Sequence, residues 1–304
     1  MKFSARAKTI AAPVLLILLA AFVGWPIYNT GAVSIRHEEV KIRSGDALLA
    51  VTISSPRWGT GPFPAIVSVH GSGRIRRQDI SSDWRQLVPE GIVVLTFDKR
   101  GVGESTGRFE ELTVERSEER LGILAADVLA CFDHLKKLPQ VDAKRIGLFG
   151  GSQAGWVIPV AADKQPEIAF CIVMAGAATS CGLETYYSAL TGDGHRPVER
   201  LSDEEIDRRL ERYDGLHGFD PIPVLARTRI PNFWLIGARD LSTPARQSIR
   251  NLEKLKSEGA PITIKVYPNG DHGLRDVTTG RNLPYWQDLV QWMRERQIIT
   301  TTGK

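Results

Sequence analysis

The chain has 304 residues, of which 42% are hydrophobic, 8% aromatic and 24% charged, with a formal net charge of +4 at pH 7. This composition is that of a globular protein, and the mixing of Lys and Arg with Asp and Glu argues against nucleic acid as a partner. Three widely separated cysteines, Cys131, Cys171 and Cys181, allow at most one disulfide and do not have the spacing of a zinc site.

The first segment of the chain, residues 1–35, is typical of a membrane-targeting sequence. Lys2, Arg6 and Lys8 precede a stretch without charged side chains, whose apolar part runs from Ile10 to Ile27. As a helix this part would span about 27 Å, close to the thickness of the hydrocarbon core of a bilayer. Basic residues before it keep the N-terminus in the cytoplasm, so we expect the rest of the chain to be extracytoplasmic.

Three interpretations of this segment stay open: an uncleaved anchor, a cleaved signal peptide and a buried core helix. The apolar run is longer than that of most signal peptides, which favours the anchor, although small residues between Thr30 and Ser34 offer cleavage sites beyond it. We therefore expect a membrane-anchored protein, or a secreted or periplasmic one if the segment is removed.

Residues 36–304 alternate between β-rich runs and amphipathic stretches, which predicts one α/β domain with helices on both faces of a sheet. The strands 36–43 and 47–54 flank a short turn and should form an antiparallel hairpin. Six more runs have the continuous apolar character of strands buried on both faces and should be parallel: 65–70, 92–98, 145–149, 169–174, 233–236 and 262–267. The sequence thus predicts a mostly parallel, eight-stranded sheet.

Helices are predicted between these strands. The clearest has an apolar stripe over residues 117–137, and another covers 244–257, with Thr243 as its capping residue. The interval 177–230 is too long for an ordinary connection, and we interpret it as a small lid over the C-terminal edge of the sheet. A surface excursion without a role is the alternative.

A candidate nucleophile follows the strand 145–149. Residues 150–155 read Gly-Gly-Ser-Gln-Ala-Gly and lead into a helical stretch. This is the strand–turn–helix context of a nucleophile elbow, in which the residues two before and two after the Ser must be small. Gly150 and Ala154 meet that requirement, so Ser152 is the candidate nucleophile.

A candidate oxyanion hole follows the strand 65–70. The segment 70–73 reads His-Gly-Ser-Gly, and its glycines allow backbone amides to turn toward an oxyanion. We expect the amides of Gly71 and Ser72 to act together with the amide of Gln153, at the start of the helix after the elbow.

Candidates for the base and the acid lie after the last two strands. His272 lies between glycines in a loop, where its ring is free to approach the nucleophile. Asp240 lies in the loop 237–244 and is a suitable partner to fix the tautomer of that ring. Asp271 is the rival acid, but adjacent loop residues rarely direct their side chains at each other.

The order Ser152, Asp240, His272 is that of the catalytic triad in the α/β-hydrolase superfamily, which the sequence resembles over roughly residues 36–298. Residues 98–105, Asp-Lys-Arg-Gly-Val-Gly-Glu-Ser, look like the turn after the fourth strand of such enzymes. Together with HGSG, GGSQAG, GARDLSTP and GDHG, this turn is similar to the serine esterase and prolyl-oligopeptidase-like branch. The resemblance implies an α/β-hydrolase fold and catalysis without a metal or organic cofactor.

The expected reaction is hydrolysis of a small-molecule carboxylic ester through an acyl-enzyme intermediate. A Ser at the elbow excludes the members of this fold that use Asp or Cys there.

Two alternatives stay open: a peptidase or aminopeptidase acting on a short peptide, and an inactive fold used for binding. In the peptidase, acidic residues of the insertion could bind the substrate amine, although a solvated helix face is the favoured interpretation: Glu199, Asp203, Glu204 and Glu205. A basic run could attract an anionic substrate, although short basic runs are usually solvated loop surface: Arg74, Arg76 and Arg77.

The N-terminal segment gives the first testable prediction. Full-length protein should sediment with membranes, and a protein starting near Val33 should be soluble and active, because the apolar run lies before that residue. Cell fractionation followed by mass determination checks this. If expression of the full-length gene instead gives a soluble exported protein that is shorter by about thirty residues, the segment is a cleaved signal peptide.

Overall fold

An eight-stranded sheet runs through the computed structural model, which describes residues 35–299, apart from the side chains of Ser81 and Trp84. The strands are β1 (Ile35–Ser44), β2 (Ala47–Pro56), β3 (Phe63–Val69), β4 (Val93–Phe97), β5 (Val141–Gly151), β6 (Phe170–Met174), β7 (Asn232–Gly237) and β8 (Ile262–Tyr267). Their order across the sheet is β1-β2-β4-β3-β5-β6-β7-β8.

The sheet is mixed. Strands β1 and β2 form the predicted antiparallel hairpin, and β2 also pairs antiparallel with β4. The pairings from β4 through β3, β5, β6 and β7 to β8 are parallel. The description as mostly parallel therefore holds only beyond β2, because a hairpin reverses the chain at the edge of the sheet.

Helices lie between the strands and after the last one. They are α1 (Ser81–Leu87), α2 (Ser117–Leu135), α3 (Ala154–Lys164), α4 (Cys181–Thr191), α5 (Asp203–Glu211), α6 (Ile222–Arg227), α7 (Ala245–Ser257) and α8 (Tyr285–Glu295). Helices α2, α3 and α7 bury their apolar residues in a core on one face of the sheet, and α1 and α8 cover the other face. Adjacent residues of one strand serve both cores, as Ile66 and Val67 of β3 do, which explains the continuous apolar runs.

The interval between β6 and β7, predicted to be a lid, contains α4, α5 and α6. Tyr187 of α4 packs with Ile206 and Leu210 of α5 in a small apolar cluster of its own. Charged pairs join α5 to α7, with Asp203 accepting from Arg246 at 2.8 Å. The insertion is therefore a folded layer with its own small core, attached to the body of the domain.

Two expectations meet the structure differently. Helix α7 begins at Ala245 without a side-chain cap, so the prediction that Thr243 caps it is wrong. The N-terminal segment predicted to target the membrane lies outside the described residues, except for Ile35 in β1. Within the described range 35–299, no helix has the length and apolar character needed to cross a bilayer.

A buried ion pair connects the turn after β4 to α2. The guanidinium of Arg100 donates to both carboxylate oxygens of Asp127, at 2.8 and 2.6 Å. The exposed fractions of the two side chains are only 7% and 2%. A third nitrogen of Arg100 donates to Asp46 in the β1–β2 turn at 3.1 Å. One side chain thus joins three parts of the fold.

Loss of one partner of this pair should destabilise the protein strongly. Asp127→Asn should lower the free energy of unfolding by about 3 to 5 kcal/mol, because Arg100 remains buried and keeps only the exposed Asp46 as a counter-charge. Equilibrium unfolding of the purified protein by a denaturant measures this change in the free energy of unfolding. Glu167→Gln, which removes the exposed pair with Lys136, is the matched control and should change stability by less than about 1 kcal/mol. Equal small effects would contradict the prediction.

Candidate active site

Ser152 lies in the sharp turn between β5 and α3. Its φ is +57°, in the left-handed region that residues other than glycine rarely adopt. Two backbone hydrogen bonds hold the turn: Ser152 N–H donates to the Met174 carbonyl at 2.9 Å, and Gly155 N–H donates to the Ser152 carbonyl at 2.8 Å. Such a conformation costs about 1 to 3 kcal/mol and persists only where the surroundings impose it.

The small residues of the elbow are required by close packing. A Cβ added at Gly150 would lie 2.6 Å from the Cβ of Ala154 and closer still to the carbonyl oxygen of Val69. No real Cβ tolerates those contacts, so glycine is required at this position. Ala154 fits because its own methyl group fills the space that Gly150 leaves.

The loop after β3 lies directly against the elbow. A Cβ on Gly71 would lie 3.6 Å from the Cβ of Ser152, so the backbone of the candidate oxyanion loop adjoins the nucleophile. His70 anchors this loop, because its Nε2–H donates to the Phe97 carbonyl at 2.6 Å. Burial, with a smaller contribution from the charge of Lys99, lowers the pKa of His70 to about 3. His70 is therefore a neutral anchoring group.

The three amides predicted to bind the oxyanion belong to two neighbouring segments. Gly71 and the exposed Ser72 lie in the loop after β3, and the buried Gln153 lies at the N-cap position of α3. Strands β3 and β5 are parallel neighbours, which brings both segments to the same edge of the sheet. Their role in binding an oxyanion stays a prediction.

The structure brings Asp240 and His272 together. Nδ1 of His272 lies 2.8 Å from Oδ2 of Asp240. The carboxylate also accepts from Ser242 N–H at 2.7 Å, Thr243 N–H at 2.9 Å and the Thr243 hydroxyl at 2.7 Å. Donation from Nδ1 leaves Nε2 as the acceptor nitrogen, which is the tautomer a general base needs. Thr243, predicted to cap a helix, thus orients the acid instead.

Asp271, the rival acid, has a different role in the structure. Its Oδ1 accepts from the amides of Gly273 at 2.9 Å and Arg275 at 2.8 Å. The carboxylate therefore shapes the loop that carries His272, while Asp240 contacts the ring. Of the two carboxylates, Asp240 is the one that contacts His272, and its role as the acid stays a prediction.

Three acidic groups determine the pKa of His272. Burial alone would lower this pKa, but the hydrogen bond and charge of Asp240, together with the charges of Asp193 and Glu184, raise it above the ordinary value of 6.5. Glu184 lies on α4, and burial followed by repulsion from Asp193 raises its own pKa to about 7. The charges of the insertion therefore act on this pKa together with Asp240.

Several of these contacts could not be found from sequence. Tyr187 of α4 donates its hydroxyl proton to the backbone carbonyl of Asp240 at 2.6 Å, and the Thr191 hydroxyl donates to the carbonyl of Leu241 at 2.6 Å. The sequence of the insertion indicates a helix there but not which of its faces meets the loop after β7. For the same reason, the sequence did not indicate that Glu184 lies near the candidate site.

A cavity of about 740 Å³ lies between the insertion and the loop after β7. Three large apolar side chains that line it, Val198, Leu241 and Val277, are each about half exposed. Tyr187 and Asp240 belong to the same lining, so the cavity borders the candidate acid. Its volume is in the range of small-molecule sites.

Comparison with known proteins identifies the family. Residues 80–296 match the prolyl oligopeptidase family, so the chain belongs to that family. Among solved structures, it is similar to an esterase from Pyrococcus furiosus, with a TM-score of 0.63 and 18% identity over 87% of this chain and 92% of that one. The acylaminoacyl peptidase of Pyrococcus horikoshii gives a TM-score of 0.62 and 19% identity, over 89% of this chain and 43% of that one. At these identities the likeness shows the fold alone, whereas the family match confirms the resemblance to the prolyl-oligopeptidase-like branch of the α/β-hydrolase superfamily.

The curated relatives include esterases, thioesterases and peptidases. The chain is 26% identical to the acylamino-acid-releasing enzyme of Arabidopsis thaliana over 53% of its length, and 28% identical to the mitochondrial palmitoyl-protein thioesterase ABHD10 of Bos taurus over 65%. It spans only 22% and 63% of the lengths of these two relatives. Esterase FrsA of Salmonella schwarzengrund is 28% identical over 81% of this chain and 58% of its own length.

The acidic surroundings of His272 predict where activity falls with pH. A general base must be neutral, so kcat/KM should decrease on acidification with a midpoint above 6.5, since the pKa of His272 is raised from that value. Asp240→Asn should move the midpoint to lower pH and reduce kcat/KM by about 10⁴-fold. pH–rate profiles of both proteins measure this.

Asp271→Asn is the matched control for this pH prediction. It changes the carboxylate next to His272 in sequence but leaves the contact between Asp240 and the ring, so kcat/KM should stay within about tenfold of the wild-type value. The reverse ranking of the two variants would assign the acid to Asp271.

Proposed function

We propose that the chain is a serine hydrolase that cleaves carboxylic esters with Ser152, His272 and Asp240 as its triad. The observation that carries the proposal is the hydrogen bond between buried Asp240 and His272, at the ends of β7 and β8. The same edge of the sheet carries Ser152 at the end of β5. In open α/β sheets, this carboxyl edge is where reactive groups collect.

The reaction follows from these groups. Ser152 Oγ attacks the ester carbonyl carbon while Nε2 of His272 takes its proton, and Asp240 stabilises the imidazolium through Nδ1–H. The amides of Gln153, Gly71 and Ser72 stabilise the oxyanion of the tetrahedral intermediate. Collapse expels the alcohol, which receives the proton from His272, and a water deprotonated by His272 then hydrolyses the acyl-enzyme.

Contacts of the insertion support an ester substrate with an apolar group. Two acidic residues considered for binding an amine are paired within the protein: Asp203 with Arg246 at 2.8 Å, and Glu205 with Arg209 at 2.7 Å. The 740 Å³ cavity beside Asp240 has charged as well as apolar residues in its lining, and we propose that its apolar side chains contact an acyl or alcohol group.

Two arginines of the basic run after the candidate oxyanion loop also have partners within the protein. Arg77 pairs with Asp98 at 2.6 Å and with Glu104 at 3.0 Å. Arg74 donates to the Gly101 carbonyl at 3.0 Å. These contacts do not favour an anionic substrate.

A peptidase is the second candidate. It is favoured by the family and by the acylamino-acid-releasing relatives, and by the carboxylates of Glu184 and Asp193, whose charges reach His272. On the basis of the N-terminal segment, we propose that either enzyme acts outside the cytoplasm, as a membrane-anchored or an exported protein.

Ser152→Ala should lower ester turnover by several orders of magnitude with unchanged stability, because it removes the nucleophile and little volume. A fluorophosphonate probe should label the wild-type protein and not this variant. Near-wild-type turnover by a purified Ser152→Ala protein would refute the mechanism, and absence of labelling in the wild type would favour an inactive fold.

The substrate is tested by comparing kcat/KM for a nitrophenyl butyrate with a matched set of aminoacyl nitroanilides. The ester should be preferred, because an amine leaving group needs a well-placed imidazolium and an extended binding surface. Preference for the anilides would replace the esterase by the peptidase.

A further inference from the structure

Lys99 lies in the turn after β4 with only 4% of its surface exposed. Its ammonium has three acceptors: the carbonyl of Gly71 at 2.8 Å, the carbonyl of Gly73 at 3.2 Å and Oε1 of Gln153 at 2.9 Å. Burial lowers the pKa of Lys99 to about 8, so the cation is still the main form at pH 7. All three donors of the ammonium are therefore directed at the two segments of the oxyanion hole.

The contact with Gly71 determines the direction of an amide. In a trans peptide the carbonyl of one residue and the N–H of the next point to opposite sides. Because the Gly71 carbonyl points at Lys99, the Ser72 N–H points away from it. The loop could not be held this way by its own sequence, since glycines at positions 71 and 73 leave the backbone free to rotate.

The contact with Gln153 joins the second segment to the first. Gln153 follows Ser152, and its backbone amide is the other proposed oxyanion donor. Its side chain, fixed by Lys99, ties the start of α3 to the loop after β3. One buried cation thus sets the separation of donors that come from two different strands, and it adds positive charge beside them.

We propose that Lys99 is a positioning residue that holds the two halves of the oxyanion hole in register. The inference rests on the proposed serine hydrolase activity and adds a residue to that site. It concerns the transition state, because the donors act on the charge that develops on the carbonyl oxygen and not on the neutral ester.

The backbone around Lys99 is held by other contacts, which separates this role from general support of the turn. Lys99 N–H donates to the Ile75 carbonyl at 3.1 Å, and the Arg77 amide and guanidinium donate to Asp98 at 2.8 and 2.6 Å. These bonds fix the loop after residue 74. The Lys99 ammonium reaches the part before it, next to Ser152.

Lys99→Met keeps the length of the side chain and removes the three donors. We expect kcat for nitrophenyl butyrate to fall about 100-fold with KM within about threefold of the wild-type value. The inhibition constant of a butyl trifluoromethyl ketone, which forms an oxyanion adduct with Ser152, should rise by a similar factor. Lys99→Gln, which keeps N–H donors, should recover part of the loss.

Arg77→Met is the matched control, since it removes a neighbouring structural cation, in the loop after β3, that pairs with Asp98 of the same turn. It should lower the melting temperature and leave kcat within about threefold of wild type. If Arg77→Met lowers kcat as much as Lys99→Met, the effect is general loosening and the proposal is wrong.

Gln153→Met provides a second route if Lys99→Met does not fold. It keeps the backbone amide and removes only the bridge, so kcat should fall about tenfold and the ketone should bind correspondingly more weakly. The double variant should be no worse than Lys99→Met alone. If kcat is unchanged in folded Lys99→Met or in Gln153→Met while Ser152→Ala is inactive, the proposed role of Lys99 is wrong and the hydrolase mechanism stands. Activity in Ser152→Ala would overturn the hydrolase mechanism itself.

Discussion

The tight crossing of β5 and α3 at Ser152 is the constraint on which the site depends. The left-handed φ of Ser152 and the missing side chain at Gly150 let the elbow approach the end of β3. That approach places Gly71 against Ser152, and the parallel order of β5, β6, β7 and β8 brings Asp240 and His272 to the same edge. The local strain is sustained by the rigid sheet on either side.

The turn after β4 supports this arrangement with three consecutive charged residues that are nearly inaccessible: Asp98, Lys99 and Arg100 are 2%, 4% and 6% exposed. Each is fully engaged, Asp98 with the loop after β3, Lys99 with the elbow, and Arg100 with α2. A Cβ on Gly103 would lie 2.7 Å from Cγ of Asp98. The buried charges of this turn therefore need a glycine at position 103, because any side chain there would collide with the Asp98 carboxylate.

The strands were predictable from sequence because each depends on a local pattern, and local patterns also selected the candidate triad, whose catalytic role stays a prediction. Continuous apolar runs indicated the buried strands, and the flanking small residues indicated Ser152 and His272. The role of Thr243 was not predictable, because a threonine before a proline has the signature of a helix cap, whereas Asp240 takes its hydroxyl. Glu184 and Tyr187 depend on how the insertion lies on the sheet, which no local pattern records.

The insertion contacts the candidate site directly, because it holds the backbone of the loop that carries Asp240. Tyr187 and Thr191 donate to the carbonyls of Asp240 and Leu241, while the Asp240 carboxylate faces His272. Each such bond contributes about 1 kcal/mol when buried, so separating α4 from this loop would cost stability and disturb the acid together. Because the insertion also lines the 740 Å³ cavity, a change in its packing would alter the cavity and the contact between Asp240 and His272 together.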